Sequence, residues 1–224
     1  MKSLLLASVF SVGLCAPGLA ADLAAPAATP DWTWQGAYAG AFGAGTLDHY
    51  RIQEPPPFDV FGTSKHSVGS ATLGGFAGYN FQSGKIVYGV EGELGYRFKK
   101  STFTDVPGAG TLDVSTGLFG SLKGRVGVDM GQYLPFVTAG VTAAQLKTFW
   151  PGGGPFPPTD ADATLVGGIV GAGVDVALTH NVFLRGEYDF SFFGKKTLDY
   201  CGPGCQLEHT VQTHDFRVAV GLKF

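Results

Sequence analysis

Four groups of charged residues recur at every second position or in multiples of two. They are Glu91, Glu93 and Arg97; Lys123, Arg125 and Asp129; Arg185, Glu187 and Asp189; and Asp215 and Arg217. In an extended chain successive side chains point to opposite faces, so each group lies on one face of one strand. Six of the eleven are acidic and five basic, so as a set they nearly neutralise one another. An isolated buried ion is costly, so charges of this kind must be paired or hydrated. Two chemistries fit: a structural plug of ion pairs, or a narrow polar pathway for small solutes. Neither a Ser-His-acid triad nor a metal cage assembles from these residues. The many glycines do not form a phosphate loop ending in Lys-Ser/Thr.

A second constellation is Cys201-Gly202-Pro203-Gly204-Cys205, followed by His209 and His214. In an oxidising compartment the two cysteines read as a disulfide closing the small loop. The alternative is a metal held by both cysteines and both histidines, although the spacing is unlike that of a standard zinc finger.

The elements that must position the eleven charges are extended. Over 86–98 one face carries Ile86, Tyr88, Val90, Gly92, Leu94, Tyr96 and Phe98, while Glu91, Glu93 and Arg97 lie opposite. The same alternation recurs in 117–129, from Leu184 to Phe192, and in the last segment. There Phe216, Val218, Val220, Leu222 and Phe224 alternate with Asp215, Arg217, Ala219, Gly221 and Lys223. Weaker candidates at 34–46, 69–81, 135–147 and 164–178 bring the strands to eight. Membrane strands need about 9–11 residues, longer than the usual soluble strand of about 5–6. Connections alternate between short turns (82–85, 130–134, 179–181) and long segments (48–68, 99–114, 148–163, 194–210). Aromatics gather near predicted strand ends: Trp34, Tyr79, Phe81, Tyr88, Tyr133 and Phe224 at one end, and Tyr96, Phe98, Phe149, Trp150, Phe190 and Phe216 at the other. Such girdles mark the two membrane interfaces.

The composition agrees. The chain of 224 residues has 15% charged, 45% hydrophobic and 13% aromatic residues, with 35 glycines. Soluble domains carry about 25% charge. A net charge of −3 argues against nucleic acid as a partner. At the N-terminus Lys2, the apolar run from Leu4 to Leu14 and the small-x-small Gly18-Leu19-Ala20 form a signal peptide, so 1–20 are expected to be removed. Residues 21–33, rich in Ala and Pro, read as a periplasmic linker, and 34–224 as the folded domain. Beyond the signal there is no run of ~18 apolar residues, so a chain in the membrane must be a closed barrel. The expected fold is all-β: an eight-stranded antiparallel transmembrane β-barrel with short periplasmic turns and long outer loops. Both termini then lie in the periplasm.

Gly75-Phe76-Ala77-Gly78-Tyr79-Asn80-Phe81-Gln82, Tyr88-Gly89-Val90-Glu91-Gly92-Glu93 and Gly171-Ala172-Gly173-Val174-Asp175-Val176-Ala177-Leu178-Thr179, with Arg185-Gly186-Glu187-Tyr188, resemble the Opa-like outer-membrane barrel family of alphaproteobacterial surface antigens. The alternating row ending in Phe224 resembles the signal read by the barrel-assembly machinery. The resemblance implies an outer-membrane structural protein and surface antigen that supports envelope integrity, with no enzymatic activity and no cofactor. Because the family includes hemin-binding members, a ligand receptor or small-solute channel is the alternative. Tyr50, Tyr200, His49, His66 and His209 are the side chains that could take heme, and no spacing singles them out. The Cys201–Cys205 loop departs from the family pattern. At the outer rim Lys65, Lys99, Lys100, Lys147, Lys195 and Lys196 form a basic collar. Lys99, Lys100, Lys195 and Lys196 in particular are expected to meet lipopolysaccharide phosphates.

Overall fold

The computed structural model describes residues 32–53, 63–106, 110–151, 159–199 and 206–224. The expected signal peptide, most of the linker, Tyr200, Cys201 and Cys205 lie outside the described residues. Nine strands form one sheet: β1 (Gly36–Gln53), β2 (Thr63–Ser83), β3 (Ile86–Val106), β4 (Gly110–Val128), β5 (Tyr133–Trp150), β6 (Thr159–Ala177), β7 (Val182–Phe193), β8 (Lys196–Asp199) and β9 (Gln206–Lys223). Each pairs antiparallel with its neighbours, and β9 closes onto β1. The short β8 continues β7 along β9. The register slips by one residue between Phe192↔Gln212 and Lys196↔His209, as at a bulge. The molecule is therefore a closed eight-stranded antiparallel barrel whose seventh stave is in two pieces.

The register fixes the shape. Paired residues lead from Tyr38 through Gly78, Glu91, Lys123, Gly140, Ile169, Ser191 and Thr213 back to β1 at Asp48, ten positions further along. A stagger of ten residues at about 3.3 Å each, over eight strand spacings of about 4.8 Å, tilts the strands by about 40°. Each residue then rises about 2.5 Å along the barrel axis. A membrane band about 25 Å tall needs about ten residues. The 18 to 21 residues of β1 to β6 carry the barrel well beyond the bilayer.

The described residues of the segments expected as long loops are thus almost all strand. Hydrogen bonding continues from Leu47↔Gly69 to Gln53↔Thr63 in the first, and from Ala144↔Leu165 to Trp150↔Thr159 in the third. What changes there is the outward side chain. Along β1 it passes from Leu47 to His49 and Arg51, along β2 from Ala71 to Ser67 and Lys65, and along β9 from Phe216 to His214 and Gln212. Backbone pairing outlasts the lipid, and the hydrophobic alternation does not.

The turns at the other end are tight. Gly84 (φ 59°) follows the last paired residue of β2 in a two-residue turn, and Gly131 (φ 77°) lies between β4 and β5. Positive φ is accessible to glycine without a Cβ clash.

Glycines also shape the wall. Six inward-facing glycines stand directly across from an aromatic residue: Gly40↔Phe76, Gly74↔Phe42, Gly78↔Tyr38, Gly95↔Phe119, Gly173↔Phe136 and Gly221↔Phe183. A Cβ on any of these glycines would lie under 3 Å from its partner's ring. Each ring occupies the space a Cβ on its partner glycine would take, which lets a narrow barrel hold large side chains.

Gly78→Ala places its Cβ 2.5 Å from the Tyr38 hydroxyl and 2.6 Å from the Val90 carbonyl oxygen, so overpacking should cost about 1–3 kcal/mol. Gly92→Ala points outward into open space and should cost far less. Urea unfolding of the two variants in detergent, followed by the gel mobility of unheated samples, measures the difference.

Candidate functional site

The lumen gathers the charges from six strands. At its lower level Asp175 of β6 accepts hydrogen bonds from Arg185 Nε at 2.7 Å, Arg185 Nη2 at 3.1 Å and Arg125 Nη2 at 2.7 Å. The first two form a fork, the strongest geometry for an Arg–carboxylate pair. Arg185 Nη1 also donates to Glu91 at 2.7 Å, and the Tyr38 hydroxyl donates to the same oxygen at 2.9 Å.

Lys123 is the hub of the middle level. Its ammonium bonds Glu187 at 2.8 Å, contacts Glu93, and lies 3.5 Å from Asp189 and 3.6 Å from Glu91. Arg217 completes this level with Glu93 at 2.7 Å and Asp189 at 3.1 Å. Above it Arg97 meets Asp48 at 3.3 Å and Asp215 at 3.7 Å. Thr213 donates to Asp48 at 2.7 Å, and the Thr46 hydroxyl bonds Asp215.

Seven buried carboxylates therefore face five buried cations. Part of the acidic excess is met by the hydroxyls of Tyr38, Thr46 and Thr213. The side chains of Lys123 and Glu91 are 0% exposed, and those of Arg125, Asp175, Arg185, Glu187, Asp189 and Arg217 at most 2%. A lumen wide enough for water would leave such side chains accessible.

The guanidinium groups also lie over the aromatic plates. Arg125 sits 4.1 Å from the Phe136 ring centre, Arg185 4.6 Å from Phe76 and Arg217 4.7 Å from Phe42. Each is within reach of a cation–π attraction, which is stronger when desolvated. Wall glycine, aromatic ring and arginine thus form successive layers from the barrel wall inward.

Glu91, Glu93 and Glu187 bring carboxylate oxygens within 4.8 Å of one another, a spacing that could hold a metal ion. The Lys123 ammonium contacts all three, so the protein supplies its own cation there.

Ten of the eleven charges read from the sequence point into this lumen. Asp129 does not. It follows the end of β4, where it accepts from the Gly131 amide at 2.7 Å and from Gln82 Nε2 at 2.7 Å, and so braces a periplasmic turn. Asp48 and Asp175 are lumen carboxylates that the sequence reading did not include. Trp34, expected in the periplasmic girdle, is 2% exposed. It is inside the periplasmic end of the barrel, where its indole donates to the Gly131 carbonyl and packs on Phe183.

Outside, Phe216, Val218, Val220, Leu222 and Phe224 form one exposed row along β9. Tyr79, Phe81, Tyr88 and Tyr133 mark the periplasmic edge, and Tyr96, Phe98 and Phe216 the outer edge, while Phe149 lies beyond that edge, two residues past Lys147 on β5. Above the outer edge Lys65 and Lys147 are exposed, and Lys195 bonds Glu208 at 2.9 Å. Lys99 and Lys100 lie on the extension of β3, and Lys196 begins β8. Tyr50 is buried facing inward while His49 faces outward, so adjacent candidates for a heme ligand lie on opposite faces of β1.

Known proteins share this architecture. The family described as the outer membrane protein beta-barrel domain matches residues 12–224. The 25 kDa outer-membrane immunogenic protein of Brucella melitensis is 34% identical over 232 aligned residues, covering 100% of this chain and 99% of the relative. The 22 kDa outer membrane protein of Rhizobium leguminosarum bv. viciae is 34% identical over 197, covering 87% and 80%. Among solved structures, the outer membrane protein OprG of Pseudomonas aeruginosa superposes with a TM-score of 0.55 at 13% identity, covering 85% of this chain and 96% of that one. That similarity concerns the fold.

Replacing Lys123 by Met leaves four carboxylates without their shared cation. Removing one partner of a buried ion pair costs about 3–5 kcal/mol, so Lys123→Met should unfold at much lower urea. Adding Glu187→Gln to that variant removes part of the uncompensated charge and should recover part of the loss. Unfolding midpoints in detergent micelles read both.

Proposed function

The chain belongs to the outer membrane protein beta-barrel domain family, and we propose that it serves in the outer membrane as a plugged structural barrel that supports envelope integrity and presents surface antigen. The observation that carries this reading is the buried Lys123 hub with its surrounding arginines. A solute path through the middle of the barrel would have to break several charge-assisted hydrogen bonds, each worth about 1.5–3 kcal/mol. The immunogenic naming of the Brucella relatives supports the antigen role. The strand extensions carry the outer ends of β1 to β6 beyond the bilayer, where antibodies and other partners reach them.

Three contacts follow from this reading. The exposed row Phe216, Val218, Val220, Leu222 and Phe224 serves as the assembly signal for the barrel-assembly machinery. Lys99, Lys100, Lys195 and Lys196 meet phosphates of lipopolysaccharide in the outer leaflet. Cys201 and Cys205 close a disulfide in the fourth outer connection. A role without catalysis is part of this reading, supported by the lumen carboxylates each being held by a cation. Heme or host-ligand capture and small-solute conduction are the competing roles.

Reconstitution into planar lipid bilayers separates these roles. Wild-type protein should give no discrete conductance steps in 1 M KCl, and hemin titration should give no saturable Soret shift. Regular single-channel steps would favour a pore, and a saturable shift a heme receptor.

A further inference from the structure

On the outward face, just above the last apolar side chains, a cleft of about 440 Å³ crosses β2, β1 and β9. Arg51, Lys65, Lys195, His49, Glu208 and Thr210 are among its lining residues. Arg51 and Lys65 are directly opposite each other across β1 and β2, and both are exposed. Like charges placed directly across an antiparallel pair repel. The cleft's carboxylate, Glu208, is held by Lys195 at 2.9 Å. On the other side of Arg51 the paired residue is Thr210, which is neutral. Among the described residues neither Arg51 nor Lys65 has an ion pair. The inward Asp48 is engaged by Arg97 and Thr213 on the other face of β1.

The level of this pair in the membrane identifies what would relieve the repulsion. Leu47 is the last outward apolar side chain of β1, and Arg51 follows four residues later. At the strand tilt of this barrel that separation is about 10 Å along the axis, just past a headgroup layer about 5–8 Å deep and within reach of it for a side chain as long as arginine. We propose that the β2–β1–β9 cleft binds the phosphate group of an outer-leaflet lipid headgroup, clamped between the Arg51 guanidinium and the Lys65 ammonium. The planar guanidinium offers two parallel donors to phosphate oxygens, and the ammonium supplies a second charge. Thr210 supplies a hydroxyl within the same cleft. The assignment rests on the reading of this end of the barrel as the outer one. It adds Arg51 to the basic collar, pairs it with Lys65, and shares with the lysines proposed above to meet lipopolysaccharide only Lys195, which lines the cleft and holds Glu208.

The test uses full-length mature protein refolded in dodecyl maltoside free of lipopolysaccharide. It is titrated separately with dihexanoyl phosphatidate, dihexanoyl phosphatidylcholine and inorganic phosphate, while backbone amide signals of Arg51, Lys65 and Thr210 are followed by NMR. Phosphatidate should shift these signals saturably, and inorganic phosphate and phosphatidylcholine should bind more weakly. Arg51→Gln with Lys65→Gln should weaken phosphatidate binding by about tenfold or more, and Lys85→Gln, in the turn between β2 and β3, should leave these shifts unchanged. These positions lie outside the membrane band, and a heat-dependent gel shift confirms that each variant is folded. Undiminished binding in the Arg51/Lys65 variant, or no saturable shift in the wild type, overturns the proposal. Equal affinity for inorganic phosphate overturns the lipid assignment in favour of a soluble anion. Retained binding in the Arg51/Lys65 variant, together with loss in a Lys99→Gln/Lys100→Gln variant, places the phosphate on the β3 lysines and removes it from the cleft.

Discussion

Everything in this barrel depends on placing charge inside a closed wall without leaving any of it alone. The bilayer requires that every backbone group pair within the protein, so the sheet must close, and eight strands close around a space just large enough for side chains. The outside of that wall faces lipid, so polar residues in the membrane band have only the interior to occupy. Seven carboxylates and five cations share it, and Lys123, Arg185 and Arg217 each bridge more than one acid. Removing any one of them leaves the acids it bridges short of a cation.

The wall and the plug are parts of one arrangement. Glycines opposite Phe76, Phe42, Tyr38, Phe119, Phe136 and Phe183 let those rings lie against backbone. Their inner faces then receive the guanidinium groups of Arg185, Arg217, Arg125 and Arg97. The glycine content that looks permissive in sequence is therefore a packing requirement. It fixes ring orientation, and the rings in turn help fix the arginines that hold the carboxylates. A rigid plug of this kind suits a protein whose work is to stand in the membrane and display its outer surface.

Much of this was legible in the sequence where one face was oily and the other charged. β3, β4, β7 and β9 showed their faces and ten of the lumen charges because lipid and lumen impose opposite chemistry on alternate residues. The legibility failed where that contrast fades. Asp48 sits where the outward residues turn polar, so its segment read as loop although its pairing continues. Asp175 lies in β6 among glycines and small residues that give little sign of which face is inside. Asp129 keeps the parity of Lys123 and Arg125 but lies past the last paired residue of β4, and turn hydrogen bonds claim it. Trp34 is an aromatic at a strand end, which suits an interface girdle, yet only the closed barrel shows that it fills the periplasmic opening. The cross-strand matching of glycine to aromatic was invisible until the register was known.

The claim that the lumen is closed by its own ion pairs is tested most directly by proton exchange of the arginine side chains. Arg185 Nε–H is buried and donated to Asp175 at 2.7 Å, whereas Arg51 is exposed. In 15N-labelled protein in micelles near neutral pH, the Arg185 Nε–H signal should persist and exchange with solvent at least ~100-fold more slowly than that of Arg51, as expected for opening that costs about 3 kcal/mol. Exchange of Arg185 as fast as that of Arg51 would mean that water fills the barrel, and would contradict the plug.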